Sequence, residues 1–325
     1  MTRPLFQLWI AVSTALLGAL PLMASAQGYP DKPVRVLVPF APGGLVDTYA
    51  RTLQPKVAEA LGQQVIIENR GGAGGTLAEA QLAKSPADGY TVMMSGDSVP
   101  SNPHLYKGLA YDLFRDLAPV SLLARVPLAL VVNANVPANN AQEFAVWART
   151  RPGQLSYGSP GTGTSNHFAT EIFKGLARID MVHVPYKGGG PAMIDLIGGQ
   201  VQAMFTSVFL AAPQVKAGKI KAVGVSSERR SALLPESPTF VESGFPGFVT
   251  GSWSGLFAPA GTPATVIARL HADFSRAMRT AEVEARFREL GTEAVAMPPA
   301  EFAAFLRVEH DKLGRLIREL NVTVN

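Results

Sequence analysis

Two rhythms of apolar and polar residues alternate along most of the chain. Short apolar runs of strand length are followed by segments whose apolar residues recur every three or four positions. Residues 34–40 read as a strand, Pro42-Gly43-Gly44 as a turn, and Val46, Ala50, Leu53, Val57 and Leu61 as one face of a helix stopped by Gly62. A strand over 64–68, a glycine loop over 71–75, a helix over 76–84 and a strand over 90–95 follow. The grammar returns later: strand 155–158, helix 164–175, strand 181–186, helix 191–197, strand 201–206, helix 209–217 and strand 220–226. This order predicts an α/β fold with mostly parallel sheets.

The last third changes character. Segments 263–279, 281–290 and 299–320 read as charged amphipathic helices. Phe302, Phe305, Leu306, Leu313, Leu316, Ile317 and Leu320 share one stripe, which predicts a buried face. Glu282/Arg286, Glu284/Arg288, Asp311/Arg315 and Arg315/Glu319 lie four apart and belong to the solvated face, as does Glu309. Two β-rich runs, 121–132 and 253–259, suit crossings between domains. Two crossings would make the middle segment an insertion, with the first and last thirds folding together.

The chain opens differently. Arg3, an apolar run from Leu5 to Met23 and then Ala24-Ser25-Ala26 match a secretory signal over 1–26 with its cleavage box. An exported, soluble protein of the bacterial periplasm is expected.

Composition narrows the function. At 325 residues the chain has room for about two domains. The net charge of +4 comes from intermixed acids and bases, which leaves no nucleic-acid footprint. There is no cysteine, so disulfides, thiolate metal sites and cysteine nucleophiles are excluded. None of the five histidines is three or four residues from another, so no helical metal pair exists. Gly158-Ser159-Pro160-Gly161 misses the nucleophile-elbow spacing by one residue, and no phosphate-binding Walker motif occurs. No cofactor and no catalysis are expected.

Three segments share one design, a strand running into a glycine- or hydroxyl-rich loop and then a helix. Helix N-termini offer unpaired N–H groups and partial positive charge, and glycine lets an anion approach the backbone. The first segment spans Phe40, Ala41, Pro42, Gly43, Gly44 and Asp47, where Asp47 either touches ligand or caps the helix. The second offers Ser159, Thr162 and Thr164, with His167 as either a contact or a packing residue. In the third, Tyr186 and Lys187 either reach a carboxylate or leave Lys187 exposed on the turn before Gly188-Gly189-Gly190-Pro191, with Pro191 at the first helical position. A fourth glycine run, 70–75, reads mainly as packing.

The chain resembles the Bug (TctC-like) family of periplasmic solute-binding proteins of tripartite tricarboxylate transporters. The resemblance runs through Pro42-Gly43-Gly44 with Asp47, Glu68-Asn69-Arg70, Gly72-Ala73-Gly74-Gly75 and Ala87-Asp88-Gly89-Tyr90-Thr91. It continues through Gly158-Ser159, Gly163-Thr164 with His167, Val184-Pro185-Tyr186-Lys187-Gly188, Trp253 and Ala258-Pro259-Ala260-Gly261-Thr262-Pro263. It implies a two-lobed type II periplasmic-binding-protein fold, two open α/β sheets joined by a hinge. Lobe 1 would comprise 27–126 plus 253–325, and lobe 2 residues 127–252. It implies a monomer that grips a small organic carboxylate between the lobes and delivers it to membrane permease subunits.

Ser95, Asp97 and Ser98 would form a further wall of the site. Thr206 stands in Phe205-Thr206-Ser207 where the family often has Phe-Asp, which points to a ligand without an ammonium group. Arg70-Gly71 replaces the usual Arg-Pro. Two other readings are an orphan receptor feeding a membrane sensor and an exported hydrolase using His167 or His183. The identity of the acid stays open.

Overall fold

The structure, a computed structural model, describes residues 28–324. The expected signal segment, 1–26, lies outside the described residues. Among the described residues no helix is long and apolar enough to cross a membrane.

The first unit runs β1 (Val34–Val38), α1 (Leu45–Leu61), β2 (Val65–Asn69), α2 (Thr76–Ala83), β3 (Thr91–Gly96), α3 (Ser98–Leu105) and α4 (Leu113–Asp116). The long strand β4 (Leu117–Asn133) leads to α5 (Ala141–Arg149), β5 (Ser156–Ser159), α6 (Ser165–Ala177), β6 (Val182–Pro185) and α7 (Gly189–Ile197). Then come β7 (Ala203–Ser207), α8 (Val208–Lys216) and β8 (Ile220–Val225). The chain closes with β9 (Gly251–Pro259), α9 (Ala264–Met278), α10 (Ala281–Glu289), β10 (Glu293–Met297) and α11 (Pro299–Glu319).

Helix α1 buries Val46, Tyr49, Ala50, Leu53, Val57 and Leu61, the predicted stripe plus a tyrosine, and Gly62 ends it in the left-handed conformation. That stripe packs on Val34, Val36 and Val38 of β1 and on Phe274 and Met278 of α9, so the first and last thirds share a core. The second half has its own core, built around Phe144, Phe173, Phe205, Phe240, Phe245 and Phe248.

The sheets are mixed rather than mostly parallel. β1, β2 and β3 are parallel, as are β5, β6 and β7, but β4 and β9 run antiparallel to their neighbours. β4 pairs with β9 from Leu117 to Pro127, then with β7 and β8 from Leu128 to Asn133. One continuous strand therefore belongs to both sheets, while its partner β9 pairs only with β3 and β4. An apolar run does not encode strand direction, which is why the mixture was not legible.

Other differences are local. Helix α7 starts at Gly189, which places Pro191 third in the helix, where a missing N–H still costs nothing. Helix α3 went unseen because Pro100 and Pro103 lie inside it. Helix α5 had a signal: Asn140 accepts from the Glu143 N–H at 2.9 Å, while Glu143 reaches back to the Asn139 N–H at 2.8 Å. On α11, Phe302, Leu306, Leu313 and Ile317 are buried, while Phe305, Leu316 and Leu320 are half-buried. The four-apart pairs do not close. Arg286 instead meets Glu289 at 2.8 Å, and Glu282 meets Lys56 at 3.2 Å. Glu309 is only 16% exposed, less than expected, and pairs with Lys312.

Candidate functional site

Five helices begin where the two sheets face each other. They are α1 after Gly44, α3 after Asp97, α6 after Thr164, α7 after Gly188 and α8 after Ser207. A cavity of about 40 Å³ touches the first turn or cap of every one. Gly44, Leu45 and Val46 contribute from α1, Gly96, Asp97 and Ser98 from α3, Thr164 and Asn166 from α6, Gly189 from α7, and Thr206, Ser207 and Leu210 from α8. Phe40, Pro160, Ser252 and Trp253 complete it. Asp97 is the only ionisable side chain in this lining. The Ser98 and Ser207 hydroxyls and the Trp253 indole N–H are buried without a hydrogen-bond partner. Each helix start carries about +0.5 of charge, so five against one carboxylate leave roughly +1.5 facing the cavity. The arrangement can hold an anion on neutral donors, without the desolvation cost of a buried cation.

Asp97 is spent on the protein itself. Its carboxylate accepts from the Ser165 N–H of α6, the Ser252 hydroxyl at 2.9 Å and the Trp253 N–H at 3.4 Å. It thus ties the first sheet to a helix of the second and to β9.

Asp47 lies behind the cavity, not in its wall. It accepts from the Gly43 N–H at 2.9 Å, from Arg51 at 3.0 Å and from Asn69 at 2.9 Å. Burial opposes its charge, but the hydrogen bonds from Arg51, Gly43 and Asn69 prevail and hold the carboxyl below its ordinary range. Of the two roles considered for Asp47, the geometry is that of a residue shaping the turn. Ala41 and Gly43 also stay outside the lining; the Ala41 N–H donates to the Lys187 carbonyl across the two halves at 2.7 Å.

The second segment divides. Thr164 reaches the cavity, but its hydroxyl donates to the Gly161 carbonyl at 2.8 Å and accepts from the His167 N–H as the helix cap. Ser159 is fully buried, with its hydroxyl against His183 Nε2 at 2.7 Å. Ser95 is buried in β3 outside the lining, its hydroxyl unpartnered.

Thr162, His167, Tyr186 and Lys187 line a different cavity of about 670 Å³, bounded also by Phe40, Gly74, Glu171, His183 and residues 320–324. The Tyr186 hydroxyl donates to Asp195 at 2.7 Å, so it does not face the small cavity. The 70–75 glycine run meets the opposite half. A Cβ on Gly74, whose φ is +62°, would lie 2.8 Å from the Thr162 carbonyl oxygen.

Phe40, Gly44, Asp97, Ser98, Thr164 and Thr206 therefore come together. Asn166, Gly189, Ser207, Leu210 and Ser252 complete the wall and were not singled out; only the Gly-Gly-Gly run and the strand-to-helix step at Ser207 hinted at two of them.

The family described as "Tripartite tricarboxylate transporter family receptor" matches residues 49–322. The fold is similar to that of the periplasmic binding protein BugD, with a TM-score of 0.87 at 32% identity, covering 91% of this chain and 99% of that one. It is similar to MatC of Rhodopseudomonas palustris with bound malate, with a TM-score of 0.84 at 34% identity, covering 89% and 100%. It is also similar to R. palustris Rpa4515 with adipate, with a TM-score of 0.87 at 31% identity, covering 91% and 99%. The two halves are the lobes of a type II periplasmic-binding-protein fold.

Proposed function

Because the chain belongs to the tripartite tricarboxylate transporter receptor family, we propose that it captures a small organic carboxylate between its lobes and hands it to the membrane subunits of such a transporter. The family and fold are those of substrate-binding proteins rather than enzymes. The convergence of five helix N-termini on one cavity without a lysine or arginine carries the reading. The unpartnered Ser98, Ser207 and Trp253 donors support it, since donors without acceptors suit an anion. Malate and adipate bound to the structural relatives make dicarboxylates the first class to test.

In this reading Phe40, Gly44, Ser98, Thr164, Thr206 and Ser207 meet the ligand. Asp47, Asp97, Ser159 and His167 shape the walls. The lobes divide near Pro127 and Ser252, where β4 passes from one sheet to the other and β9 begins, and hinge motion there opens the cleft. Residues 1–26 direct export, and the protein works as a periplasmic monomer.

A thermal-shift screen of the protein lacking residues 1–26 tests the reading. An acid at 100 times its dissociation constant stabilises by about 2.7 kcal/mol, which raises the melting temperature by several degrees. Acids should shift it, and mass spectrometry of denatured protein identifies any acid carried through purification. Shifts from neutral or cationic compounds alone contradict the reading.

A further inference from the structure

Two histidines behind the second loop have their protons assigned by their partners. The Ser159 oxygen accepts from the Gly161 N–H at 3.2 Å and lies 2.7 Å from His183 Nε2. A backbone N–H only donates, and among the described contacts the sole acceptor for the buried Ser159 proton is His183 Nε2. The chain therefore runs from Gly161 N–H to Ser159 and from Ser159 O–H to His183, which carries its own proton on Nδ1. Likewise the Gly163 N–H donates to His167 Nδ1 at 3.3 Å, so the His167 proton is on Nε2. The two rings stack, with centroids 4.0 Å apart and planes within 12°.

The loop held this way meets the opposite lobe. The Gly163 carbonyl accepts from the Ser101 hydroxyl at 2.7 Å, and the Thr162 carbonyl abuts Gly74. The same loop caps α6 through Thr164.

We propose that His183, acting through Ser159, and His167 are positioning residues whose neutral imidazoles hold Gly161 and Gly163 for lobe closure, so that protonating either one loosens the loop and weakens ligand capture. A protonated His183 would donate to Ser159 and leave the buried serine proton without an acceptor. A proton on His167 Nδ1 would face the Gly163 N–H.

The surroundings offer an imidazolium little help. From α6, Glu171 already accepts from the Tyr157 hydroxyl of β5 at 2.5 Å and from Lys174 at 2.9 Å. Tyr106, Tyr186 and Lys187 line the same cavity, and residues 320–324 add no titratable side chain. Burial, with Lys174 nearby, lowers His167 to about 4. Burial and the neighbouring His167 lower His183 to about 3, against the partial opposition of Glu171.

The part concerning capture rests on the carboxylate-receptor reading; the part concerning loop geometry does not, and the experiment separates them. Imidazole nitrogen correlation spectra of the ligand-free protein should show His183 protonated on Nδ1 and His167 on Nε2, both neutral from pH 7.5 to 5. Opposite tautomers, or imidazolium at pH 7, overturn the proposal. Amide exchange at Gly161 should rise at least tenfold in His183→Phe and change less than twofold in His183→Gln, whose Oε1 can replace Nε2 as acceptor. Parent-like exchange in His183→Phe overturns it too. With malate or adipate, whichever binds, the parent should lose at least fivefold more affinity between pH 5 and pH 3 than the double variant His167→Asn/His183→Gln. The loss in the double variant reports the titration of the acid itself. Equal pH slopes in parent and variant refute the proposal for capture while leaving the receptor reading intact. If neither acid binds, the receptor reading loses its first ligands and the spectra still decide the loop geometry.

Discussion

The Asp97 carboxylate accepts a hydrogen bond from the Ser165 N–H, so a side chain of one lobe caps the first turn of a helix in the other. The same carboxylate holds Ser252 and Trp253 of β9. It is therefore a latch between the lobes, set inside the wall of the cavity they enclose.

Asp97→Ala should favour the open form. Hydrogen bonds to a charged group contribute about 1.5–3 kcal/mol each, and this change removes the cross-lobe bond along with the two to β9. Small-angle scattering of the ligand-free variant should show a larger radius of gyration than the parent. An unchanged radius would show that Asp97 does not latch the lobes.

Gly44 tests the first cradle. A Cβ there has ordinary contacts, 3.6 Å from the Gly189 nitrogen and 3.7 Å from the Ala41 carbonyl oxygen. Gly44→Ala should fold and bind. Gly44→Val adds two methyl groups beside the cavity and should lower carboxylate affinity at least tenfold, with the melting temperature within a few degrees of the parent. Calorimetry of the pair decides it; equal affinities place the ligand elsewhere.

Asp47 should affect binding indirectly. Its folded pKa is lowered, so its contribution to stability is present above the ordinary carboxylate range and fades as pH falls through the lowered value. Asp47→Asn should weaken binding by freeing the 40–44 turn and should flatten the loss of stability on acidification. Denaturant melts from pH 7 to 3 check the slope.

Glu79 acts in the opposite sense. It is fully buried on α2, where burial pushes its carboxyl up to about 7 against donation from Tyr111 and Asn102. A raised carboxyl contributes stability that is full below the unfolded value and lost as pH rises through the folded one. The protein should lose up to about 3 kcal/mol between pH 5 and pH 8 on this account. Glu79→Gln should remove that slope, and a slope persisting in the variant would assign it to another group.

Legibility in the sequence followed the range of the interactions. The α1 stripe and the Gly44 turn are local patterns and could be read directly. The direction of β4, the membership of Ser207, Ser252 and Trp253 in one wall, and the capture of Asp97 by Ser165 all depend on contacts distant in sequence. Ser159 and His167 stood out as hydroxyl and imidazole beside a glycine loop. Nothing in that segment shows that their polar atoms turn inward to hold the loop, because His183, the partner of Ser159, comes from another strand. The Asn140–Glu143 box was readable and marks α5.

Calorimetric titration of the protein lacking residues 1–26 with malate, adipate and a tricarboxylate, each beside its amide, tests the central claim most directly. The account predicts that at least one acid binds with one-to-one stoichiometry while its amide does not, because the helix N-termini require a negative charge. Equal binding of acid and amide, or binding of amides alone, would contradict it.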